Sequence, residues 1–89
     1  MQDPQNREMM AALYRIMEKY EVPPDCNTDS EIIEYFDKVR TDINEFFITY
    51  WEKQRNLYAR EMSSALYHAI SNRFKQHHDE REHREFQLR

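Results

Sequence analysis

Glycine is absent from all 89 residues, and proline stands only at Pro4, Pro23 and Pro24. From Asp25 onward the chain therefore holds neither of the residues that usually interrupt a helix. A domain of strands and tight turns needs residues that take positive φ cheaply, and a chain without glycine supplies them poorly. The same absence removes phosphate-cradling loops and dinucleotide-binding turns, where backbone must approach the ligand closely. Cysteine is nearly missing too: Cys26 stands alone, which excludes a disulfide framework and any Cys-based zinc spacing. No run of about 18 apolar residues offers a membrane span, and the first residues lack the apolar centre of a signal peptide. The expectation is an all-α, cytoplasmic protein.

Charged residues make up 34% of the chain and aromatic residues 13%, too many rings for a disordered segment. The charge is divided unevenly. Residues 1–50 carry 11 acidic and 5 basic side chains, net −6, whereas residues 51–89 carry 6 and 8, net +2, together with all four histidines. An overall charge of −4 argues against strong non-specific binding of nucleic acid.

The spacing predicts a first helix over residues 3–21, capped by Asp3 with Pro4 in the first turn, its apolar stripe formed by Met9, Leu13, Ile16, Met17 and Tyr20. Val22 precedes the Pro23-Pro24 pair, so a stiff loop is expected over 22–28. Thr28 and Glu31 have capping-box spacing and open a second helix. Its stripe runs through Ile32, Phe36, Val39, Ile43, Phe46 and Tyr50, thickened by Ile33, Phe47 and Trp51. Beyond Trp51 the pattern weakens and resumes as Leu57, Tyr58, Met62, Ala65, Leu66, Ala69, Ile70 and Phe74, rotated by roughly a quarter turn. Either one kinked helix covers 29–77 or two helices meet at a break near 53–56; the lack of glycine and proline favours continuity. Residues 78–89 read as a polar helical tail.

A continuous helix of that length would reach about 70 Å. The first helix could shield only part of its apolar face, leaving the rest to a second copy of the chain, with the acidic half of one long helix against the basic half of the other. Phe36, Ile43, Phe46, Phe47, Tyr50, Trp51, Leu57, Tyr58 and Met62 are the expected protein interface. The function read from this pattern is a non-catalytic protein–protein interaction module: an adaptor, assembly or regulatory subunit, homodimeric and bound to another protein.

Other chemistries are weaker. His78 with Glu82, Asp79 with His83, and His77 with Glu80 lie one helical turn apart, but HExxH is absent and no second cluster completes a coordination sphere, so neither metal nor cofactor is expected. The many carboxylates are the ordinary solvated residues of helix surfaces, and no catalytic set or small-molecule substrate is expected. An alternative is an accessory or inhibitory factor of a nucleic-acid-acting machinery. It would work either through basic residues of the last helix, Arg73, Lys75, Arg81 and Arg84, or through an acidic, DNA-like face formed by Glu31, Glu34, Asp37, Asp42 and Glu45.

Overall fold

A computed structural model describes residues 4–87. Among them are three α-helices and no strand: α1 (Pro4–Lys19), α2 (Asp29–Phe47) and α3 (Ala59–Gln87). A π-helical turn, Ile48–Lys53, continues α2. The fold is all-α. The Asp3 cap lies outside the described residues.

The start of α2 follows from local chemistry. The Thr28 hydroxyl oxygen accepts the Glu31 backbone N–H at 3.2 Å, and the hydroxyl donates to the Glu31 carboxylate at 3.1 Å. One residue pair thus meets an orphan amide and orders its own side chains. Asp29 and Glu31 place negative charge in the first turn, where the helix dipole favours it.

The helix favoured over 29–77 does not form as one piece. The widened π-helical turn at Ile48–Lys53 ends this run, and the chain turns before α3 begins at Ala59, so the shifted apolar pattern is that of a separate helix with its own core-facing side. Arg55 then takes φ 56°, in the left-handed region. The Arg55 N–H donates to the Trp51 carbonyl at 3.1 Å and the Asn56 N–H to the Tyr50 carbonyl at 2.8 Å, a helix-ending pattern usually built on glycine. Asn56 secures the turn from inside. It is buried, its Nδ2 donates to Asn6 Oδ1 at 2.7 Å, and its Oδ1 accepts the Tyr58 N–H at 3.0 Å. A non-glycine residue in this region costs about 1–2 kcal/mol, and the burial that the reversal allows outweighs that cost.

The three helices run up, down and up. Phe36 of α2 meets Phe74 of α3 with ring centroids 5.1 Å apart, and Met9 of α1 packs with Phe46, Tyr50 and Ala59. Tyr20, Val39, Ile43, Leu66 and Ile70 form the second half of the core. α2 and α3 pack antiparallel within one chain through apolar and aromatic side chains. Ala65 and Ala69, assigned to the apolar stripe, lie instead on the exposed side of α3: burial centres on Leu66, Ile70 and Phe74.

The molecule measures 56 × 26 × 17 Å, because the 29 residues of α3 outrun the 19 of α2. The start of the overhang is tied to the loop before α2. Arg81 donates to the Cys26 carbonyl at 3.3 Å and to Asn27 Oδ1 at 3.0 Å, and pairs with Asp25 at 3.3 Å. His77 Nε2 lies 2.7 Å from the same Asp25 carboxylate.

Candidate protein-binding face

α1 lies against one side of the α2–α3 pair. On the other side, the two helices leave an open groove in two lobes that share Arg40 and Tyr67. The lobe toward the 54–58 turn is bordered by Asn44, Phe47, Ser63 and Ser64. The lobe toward the overhang has Phe36 and Phe74 as its floor and Ser71, Lys75 and His78 as its wall.

Helical spacing puts these groups together. Phe36, Arg40 and Phe47 recur on one edge of α2; Tyr67, Ser71, Phe74 and His78 recur on the facing edge of α3. Tyr35 stacks on Phe74 at 5.1 Å, and the His78 ring lies nearly parallel to Phe74, 5.9 Å away and 8° off plane. His78 Nε2 is 3.2 Å from Glu82, while its Nδ1 is buried without a hydrogen-bond partner, as is Ser71 Oγ. A buried polar atom left unpaired costs about 1–3 kcal/mol, and both of these lie beneath the groove rather than on its open surface.

The expected interface residues separate into three groups. Ile43, Phe46 and Tyr50 are core residues, Phe46 only 3% exposed. The reason is the chain reversal, which brings α3 and α1 over a surface that the continuous-helix reading assigned to a second copy. Phe36, Phe47, Trp51 and Met62 are half-buried, the first two bordering the groove. Leu57 and Tyr58 stand at the turn, 78% and 59% exposed. Tyr67, Ser71 and His78 are absent from the interface that the spacing predicts. The available signal was the recurrence of Tyr67, Phe74 and His78, hidden by the polar residues between them.

Of the four basic residues expected to meet nucleic acid, two are engaged within the fold and two are exposed. Arg73 donates to the Tyr20 carbonyl at 3.2 Å and Arg81 holds the loop, whereas Lys75 and Arg84 are exposed. On the acidic side, Asp42 accepts bonds from Lys19 at 2.7 Å and from the Tyr20 hydroxyl. Burial pushes the Asp42 carboxyl up, but these two bonds and the Lys19 charge outweigh it and hold the group below the usual range. Burial, the bond to Asp42 and the nearby negative charge push the Tyr20 phenol well up. Burial, with Glu31 adding to it, also pushes the Cys26 thiol up, so the thiolate is disfavoured. These displaced titrations belong to contacts that hold the helices and loop together.

No helix among the described residues is long and apolar enough to cross a membrane, and no group of three or more His, Cys, Asp or Glu among them could hold a metal ion. Comparison with protein-family models, curated proteins and solved structures finds no match.

Proposed function

We propose that the chain is a non-catalytic protein-binding module, an adaptor, assembly or regulatory subunit, that holds another polypeptide on the outer face of α2 and α3. One observation carries the reading: α1 covers one side of the α2–α3 pair, while the other side is an open groove with an aromatic floor. Aromatic side chains give large contact area at small entropic cost, which suits them to recognition. The open groove corresponds to the position that a fourth helix fills in a four-helix bundle. The expectation of a homodimer rested on shielding the cluster of Phe46, Phe47, Tyr50 and Trp51, of which Phe46 and Tyr50 are covered by the chain's own α1 and α3 while Phe47 and Trp51 stay half-buried. The partner in this reading is a different protein.

Position-specific photo-crosslinking in the native host tests it. A photoreactive residue in place of Tyr67 should give a discrete adduct that disappears when Ser71→Trp fills the groove. The same probe at Lys38, exposed away from the groove, should give none. No adduct at Tyr67, or the same adducts from both positions, would overturn the reading.

A further inference from the structure

Resting on that reading, we infer that the occupant is an acidic amphipathic helix of three to four turns, laid between α2 and α3. The length follows from the groove. It borders α2 from Phe36 to Phe47 and α3 from Ser63 to His78, about 16 and 22 Å at 1.5 Å per residue, which a helix of about 11 to 15 residues matches.

A helix suits this trough better than an extended strand. Both walls are helices whose backbone groups are already bonded to one another, so an extended segment would lay its own N–H and C=O groups against them unpaired. A helix brings its backbone satisfied and offers only side chains. Asn44, Ser63, Ser64 and Ser71 are small or short enough on the walls to admit a helix closely. Its apolar stripe would meet Phe36, Tyr67 and Phe74.

The sign of the charge follows from Arg40 and Lys75, which border the aromatic lobe on opposite helices. Arg40 has an acidic neighbour, Asp37, at 3.7 Å, but both side chains are over 60% exposed, and such pairs are worth little. Glu82 is the other nearby carboxylate, and it faces His78 Nε2. Both cations thus remain available to carboxylates on a docked helix. A second copy using the same face would bring Arg40 and Lys75 against their own counterparts, since a two-fold contact joins identical patches. That like-charge meeting disfavours self-association through the groove.

The test uses the full chain and two synthetic helical peptides of about 14 residues, each with leucines at i, i+3, i+7 and i+10, one flanked by glutamates and the other by lysines. Fluorescence anisotropy at low salt should show the glutamate peptide binding about ten-fold tighter. Amide shifts should cluster at Arg40, Tyr67, Ser71 and Lys75. The double substitution Arg40→Glu/Lys75→Glu should invert the preference, and Ser71→Trp should remove binding of either peptide, with circular dichroism confirming that both variants remain helical. Equal binding of the two peptides, shifts confined to Leu57 and Tyr58, or concentration-dependent self-association of the free chain through the same residues would each overturn the inference. If Tyr67 crosslinks a host protein while the peptides show no preference, the charge class of the partner is wrong and the face stands. If the crosslink itself fails, the face is wrong.

Discussion

The two sides of the α2–α3 pair are built from the same kinds of residue and end in different states. On the α1 side, Met9, Phe46, Tyr50 and Ala59 close over one another. On the far side, the half-buried Phe36 and Tyr67 have no third helix above them and the groove stays open. Aromatic content alone therefore says little about binding. What separates core from open surface is whether another element of the same chain reaches it.

Core truncation gives the largest expected contrast. Phe46→Ala should cost about 3–5 kcal/mol by cavity formation, a large share of the about 5–15 kcal/mol that holds a domain folded. Tyr67→Ala, half-buried at the edge of the core on the open side, should cost less, about 1–2 kcal/mol. Urea unfolding of the two variants measures the difference, and equal losses would erase the distinction between the sides.

The next effect lies at the reversal that lets α3 close one side. Asn56→Ala removes the buried amide that bonds Asn6 Oδ1 and the Tyr58 N–H and should destabilise by about 1–3 kcal/mol. A smaller effect of opposite sign is expected at Arg55. Arg55→Gly relieves the left-handed strain but loosens the unfolded chain, leaving a net gain of about 0.5–1 kcal/mol; a loss in thermal unfolding would mean that the Arg55 side chain matters more than its backbone.

The smallest effect concerns the loop latch at the overhang. The hydrogen bond with His77, ahead of the charges of Arg81, His77 and Arg84, holds the Asp25 carboxyl below its ordinary value. The unfolded chain then binds that proton more readily, so the contribution is present above the unfolded pKa and fades as pH falls through the folded one. Asp25→Asn should flatten the acid limb of a stability-versus-pH curve slightly, because the pair is exposed to solvent. An unchanged acid limb would show that the latch adds nothing to the packing of α3.

Much of the helical framework was legible because its causes are local. The Thr28–Glu31 cap, the stripe from Met9 to Tyr20 and that from Ile32 to Tyr50 each involve residues within a few turns of one another. The break was half legible: the rotated apolar pattern marked residues 53–56, yet the missing glycine argued for continuity. Arg55 adopts the costly backbone state because α3 gains a core by folding back, and that gain is non-local. The groove was harder to read. Tyr67 is surrounded in sequence by Ser64, His68 and Ser71, and its apolar company comes from Phe36 and Phe74 across and along the helices.

Composition and periodicity alone were enough to specify helices, the Thr28–Glu31 cap of α2, and a surplus of aromatic surface, since these depend on backbone sterics and on residues a turn or two apart. Tertiary packing decided which rings became core and which became surface. That allocation turns on one reversal at Arg55 and Asn56, where long-range burial outweighs a local preference, and it leaves the outer side of α2 and α3 open.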